Sequence, residues 1–153
     1  MPDRGFEVST ELDVRRAQVE VFAFLVDTES FRQVDRALID YGPVGQLTPG
    51  MSGWFKHRRG VMTARTTWTV TDFEAPSRVV VAIKGMGYAM TETARLEATP
   101  GGTHVTFVDR VWPTSLPGRL LVALSGGIMR RDLAKRARLL EVALQSGALN
   151  GRG

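Results

Sequence analysis

A chain of 153 residues with no cysteine, 20 basic and 16 acidic residues and a formal charge of +4 has the size of one domain. It has no means of forming disulfides, thiolate metal sites or a cysteine nucleophile. No apolar run reaches about 18 residues, which excludes a membrane-spanning helix, and the opening Met1-Pro2-Asp3-Arg4-Gly5 lacks an apolar core of signal-peptide type, so a cytoplasmic location is expected.

Phe6 to Val14 alternates, with Phe6, Val8, Thr10, Leu12 and Val14 on one side and Glu7, Ser9, Glu11 and Asp13 on the other. That period of two predicts a strand with one wet face. Ala17 to Val26 is apolar on nearly every side, which predicts a helix wedged between layers. Asp27 and Thr28 end it and cap a short second helix through Phe31 and Val34. Gly42, Pro43, Gly45, Pro49, Gly50 and Gly53 then divide the chain into turns.

Strands are predicted at Leu38 to Val44, Trp54 to Arg59, Met62 to Glu74, Arg78 to Lys84, Tyr88 to Ala98 and His104 to Trp112. Their connections read as hairpins at Arg59-Gly60, Ala75-Pro76-Ser77, Gly85-Met86-Gly87 and Thr99-Pro100-Gly101-Gly102. Leu116 to Leu149 predicts a long helix. Leu116, Leu120, Leu124 and Ile128 form an apolar line that restarts one position later as Met129, Leu133, Ala137, Leu140 and Leu144. The shift falls at Gly126-Gly127, a pair that costs a helix about 2 kcal/mol relative to alanine, and predicts a kink there. The line is expected against the sheet, and the tail from Gly147 is expected to fray. The whole reads as a single domain, residues 1–153, with an ordered core of about 6–146.

This order of elements, with AQVEVFAFLVDTESF (Ala17 to Phe31), GPVGQLTPGMSG (Gly42 to Gly53), WTVTDFEAPSRVVV (Trp68 to Val81) and LEATPGGTHVTF (Leu96 to Phe107), resembles the helix-grip fold. START, birch-pollen-allergen-like and polyketide cyclase/dehydrase proteins share that fold and are grouped as the SRPBCC superfamily. The likeness runs from about Phe6 to Leu144. It implies an α+β architecture, a curved antiparallel sheet of six to seven strands around a long C-terminal helix. It also implies a pocket between sheet and helix that carries, senses or transforms hydrophobic molecules. The superfamily has no common catalytic set, so no catalytic residue carries over.

The only histidines, His57 and His104, lie far apart, so no metal spacing is present and no metal or other cofactor is expected. Gly85-Met86-Gly87 has Met90 where a dinucleotide fingerprint needs its third glycine, and reads as a turn. Strand parity places Glu92 among Tyr88, Met90, Ala94 and Leu96, and Asp109 among Val105, Phe107 and Val111. A hairpin closing at Pro100-Gly101 sets Glu92 opposite Asp109. Two inward carboxylates repel, so one is protonated or a cation lies nearby. Such a pair suits general acid–base chemistry, with His57, on the parity of Phe55, as a third member.

Trp54, Thr66, Trp68, Val70, Tyr88, Met90, Phe107, Leu120, Leu124 and Ile128 are the candidate lining of an apolar cavity, with plain core packing as the alternative for each. Arg130, Arg131, Lys135, Arg136 and Arg138 form a basic patch on the last helix. Arg131, Lys135 and Arg138 share one face, read as ordinary solvation or as contact with an anionic surface or partner. No stacking platform or motif accompanies the charge, so nucleic acid is not expected. Three readings follow. One is binding of a lipid-like, polyketide-like or polycyclic small molecule; the others are a cyclase, aromatase or dehydratase using Glu92, Asp109 and His57, and an interaction module built on the basic helix.

Overall fold

The computed structural model describes residues 5–145. Seven strands, β1 (Phe6–Val14), β2 (Leu38–Gly42), β3 (Ser52–Arg59), β4 (Met62–Glu74), β5 (Arg78–Lys84), β6 (Tyr88–Thr99) and β7 (Gly102–Pro113), form one sheet in the order β1-β7-β6-β5-β4-β3-β2. Every neighbouring pair is antiparallel. Helices α1 (Gln18–Leu25) and α2 (Phe31–Val34) connect β1 to β2, and α3 (Leu116–Gln145) follows the sheet. The architecture is α+β, as the order of elements predicts. Residues 146–149 of the expected helix, and the tail from Gly147, lie outside the described residues.

The alternation in β1 has its expected effect: Val8, Leu12 and Val14 are buried while Glu7, Ser9, Glu11 and Asp13 are exposed. Asp27 accepts a hydrogen bond from the Glu29 amide at 3.0 Å and so caps the single 3-10 turn Thr28–Ser30 that leads into α2. An extra residue on β4, at Thr71, shifts its register with β5, and another near Ile39 shifts β2 against β3. Such bulges bend a strand locally.

Two expectations need correction. α1 is not wedged on all sides: Val21, Phe22 and Phe24 are buried, but Val19 is exposed. It lies on the sheet as a helix with a free flank. On α3, the second half of the expected line, Leu133, Ala137, Leu140 and Leu144, does face the core. The first half does not, because Leu116, Leu120, Leu124 and Ile128 are exposed. The inward line is instead Gly118, Val122 and the partly buried Met129, continuing into Leu133 at unbroken helical spacing.

Backbone proximity explains this choice of small residues. A Cβ on Gly118 would fall on the Gly87 carbonyl oxygen, and Gly87 itself has φ +84° in the β5–β6 turn. The first turn of α3 therefore rests on that turn with no room for a side chain. At the other end of α3, Arg16 Nε donates to the Leu144 carbonyl at 3.2 Å. Between these fastenings α3 packs against β1, β7 and α2.

Candidate functional site: a charged cluster beneath the last helix

The β6–β7 register sets Leu96 opposite Val105, Ala94 opposite Phe107 and Glu92 opposite Asp109, as the Pro100-Gly101 hairpin predicts. Asp109 is 1% exposed, so its carboxyl lies fully inside. The cation such a pair requires is Arg136 of α3. Its Nη1 donates to Glu92 Oε1 at 2.9 Å and its Nη2 to Asp109 Oδ2 at 2.8 Å. The guanidinium fork suits two acceptors held side by side on adjacent strands.

Burial and the charge of Glu92 push the Asp109 carboxyl up to about 7, against the opposing pull of Arg136. Burial alone would ease the proton off Arg136. The charges of Glu92 and Asp109 outweigh it, and the guanidinium is held more firmly charged than usual. Asp35, just after α2, adds to that field. Burial raises Asp35, but the hydrogen bond and charge of His57, with Arg136 beyond, bring it below its ordinary value. His57 Nε2 lies 2.9 Å from Asp35 Oδ2, so this histidine pairs with Asp35 rather than joining Glu92 and Asp109 directly.

The expected apolar lining divides by face and depth. Trp68, Val70, Met90 and Thr66 point inward and are buried; Tyr88 and Phe107 point inward and are partly accessible. Trp54 stands opposite Thr67 on the other face of the sheet, with the Arg65 guanidinium 4.7 Å from its ring centroid. Phe55 takes the inward place, stacked at 5.8 Å on Trp68. Its parity with His57 is the signal that identifies it. Leu120, Leu124 and Ile128 point away from the sheet, because the inward positions of that half-helix are Gly118 and Val122. Arg131, Lys135 and Arg138, with Arg130, edge an outward groove of about 600 Å³ floored by Ala134, Leu139 and Val142.

At the centre of the sheet the cover is incomplete. Val81 lies on β5, the fourth of the seven strands, opposite both Val70 and Glu92 on the inner face, yet it is only partly buried. Beside it Glu92 keeps 31% of side-chain exposure and its partner Arg136 26%; Phe107 elsewhere on the inner face and Met129 on α3 are also partly accessible. Thr66 Oγ1 and Trp68 Nε1 on the same face are buried with no hydrogen-bond partner among the described residues. Among those residues no group of three His, Asp or Glu side chains is placed to hold a metal ion.

No protein-family model matches the sequence, and no curated protein matches it. Solved structures do match the fold. An uncharacterized protein from Rhizobium leguminosarum superposes with a TM-score of 0.74 at 19% identity, over 93% of this chain and 95% of its own. A protein from Thermus thermophilus gives 0.75 at 16% identity, over 93% and 99%. Ara h 8.0201 gives 0.69 at 14% identity, over 93% and 99%. Identities this low speak to architecture alone. A seven-stranded antiparallel sheet with a long C-terminal helix, shared with Ara h 8.0201 over nearly the whole of both chains, is the helix-grip fold.

Proposed function

We propose that the protein binds a hydrophobic small molecule, lipid-like, polyketide-like or polycyclic, between the inner face of the sheet and α3. The observation that carries this reading is the partial accessibility of Val81. An inward valine on the middle strand of a seven-stranded sheet is the side chain a filled core would cover first. Partly accessible apolar side chains at Phe107, Tyr88 and Phe55 stand elsewhere on the inner side of the sheet and Met129 on α3, and Arg136 with Glu92 supplies one polar feature within an apolar wall. Ligand sites are commonly built in that proportion.

The test uses the fluorophore anilinonaphthalene sulfonate with the folded protein. Saturable binding is expected, and Val81→Trp, which fills the space, is expected to weaken it at least about tenfold, the equivalent of roughly 1.4 kcal/mol. Equal binding by the wild type and Val81→Trp would sink the reading. Native mass spectrometry of the purified protein would identify a retained ligand directly.

The acid–base reading draws on the facing of Glu92 and Asp109 across β6 and β7, with burial and the charge of Glu92 pushing the Asp109 carboxyl up to about 7. Binding is preferred because Arg136 occupies an oxygen of each carboxylate. Glu92→Gln and Asp109→Asn would abolish turnover in an enzyme and leave affinity for the fluorophore nearly unchanged in a carrier.

A further inference from the structure

The outer face of α3 has no function in the reading above and carries most of the large exposed apolar side chains among the described residues. Leu116, Leu120, Leu121, Leu124 and Ile128 all stand in water, Leu120 and Leu124 at 65% and 71% exposure. Met86, 92% exposed, stands on the β5–β6 turn against which the first turn of α3 rests. Farther along the helix, Leu139 and Val142 continue the apolar ground between Arg130, Arg131, Lys135 and Arg138. From Arg110 to Arg131 the sequence has no aspartate or glutamate, and neither has Ala75 to Thr91.

We propose that this face docks on an anionic lipid bilayer, with the leucines of the first half of α3 entering the headgroup–acyl boundary and the basic residues of the second half meeting lipid phosphates. A helix with leucines and arginines on one exposed side suits an interface that is apolar beneath and negative above. Charge argues against a second copy of this chain. A two-fold contact through this face would leave its four basic side chains unneutralised, because no carboxylate lines the groove. The proposal does not depend on a ligand between sheet and helix.

Co-sedimentation tests it, using the whole protein with vesicles of phosphatidylcholine alone and vesicles containing phosphatidylglycerol. Binding is expected on the second only, and is expected to weaken with added salt. Leu120→Asp with Leu124→Asp should reduce the bound fraction at least about tenfold, from lost apolar burial. Arg131→Gln with Lys135→Gln should reduce binding about fivefold per charge on phosphatidylglycerol, with the fold intact. No binding to phosphatidylglycerol vesicles, or binding that both pairs of substitutions leave unchanged, overturns the proposal. So does a solution dimer that the leucine substitutions dissociate while vesicles bind nothing, which would give the face to a second copy.

Discussion

Arg136 reaches Asp109 at 2.8 Å from the helix above, a contact that ties α3 to β7, the second strand from the sheet's edge. The same guanidinium holds Glu92 at 2.9 Å, so its removal leaves two facing carboxylates, one of them fully buried. Arg136→Met is therefore expected to destabilise the fold by about 3 kcal/mol, the usual consequence of stripping a buried charge of its partner. Replacing all three residues by apolar ones of similar size should recover most of that loss. Urea unfolding of the single and triple variants checks both. A single variant as stable as the wild type would mean the contact contributes nothing.

The raised Asp109 makes stability depend on pH in a definite direction. The folded chain holds this proton up to about 7, the unfolded chain only to about the ordinary 3.8. Between those values the folded state binds more protons, so Asp109 favours folding fully below 3.8 and loses that contribution as pH rises through 7. Asp35 acts in the opposite sense. Its folded value is lowered, so its contribution is present above 3.8 and is lost as pH falls. Asp109→Asn should flatten the decline toward neutral pH and leave the acid limb in place, as read from unfolding midpoints across the pH range.

Thr66 Oγ1 is buried and without a partner among the described residues, which makes its hydroxyl a net expense to folding. Thr66→Val keeps the shape and removes the unmatched group. It is expected to stabilise the protein by roughly 1 kcal/mol, seen as a higher urea midpoint. A loss of stability would show that the hydroxyl finds a partner in solution.

Glycines within α3 should respond with opposite signs. A Cβ on Gly126 or Gly127 meets nothing within 4 Å, so alanine at either is expected to gain about 1 kcal/mol of helix propensity. Gly118→Ala drives a methyl into the Gly87 carbonyl and is expected to cost at least 1 to 3 kcal/mol, in the range of overpacking changes. Thermal unfolding of the three variants separates the two effects.

Much of this architecture is legible in the sequence. Alternation and turn chemistry place every strand within two residues, and the Pro100-Gly101 turn correctly sets Glu92 against Asp109. Arg136 is legible too. Alone among Arg130, Arg131, Lys135, Arg136 and Arg138, it falls on the inward line of Met129, Leu133 and Leu140, three residues past Leu133 and four before Leu140. Grouping it with the other basic residues hides that spacing. The first half of α3 is not legible, because a hydrophobic pattern follows the large residues. Here the large ones face water and the small ones, Gly118 and Val122, face the protein. What decides that placement is a backbone contact between Gly118 and Gly87, separated by thirty-one positions in sequence.

The fastening of α3 has a mechanical consequence. From Gly118 to Arg136 the helix spans about 27 Å, pinned at its start by backbone contact and at the far end by the guanidinium. Within that span lie Gly126 and Gly127, where a side chain would meet open space. Val122 and Leu133 are buried on either side of that pair, so the glycine stretch between them is where the rod has least side-chain purchase on the layer beneath.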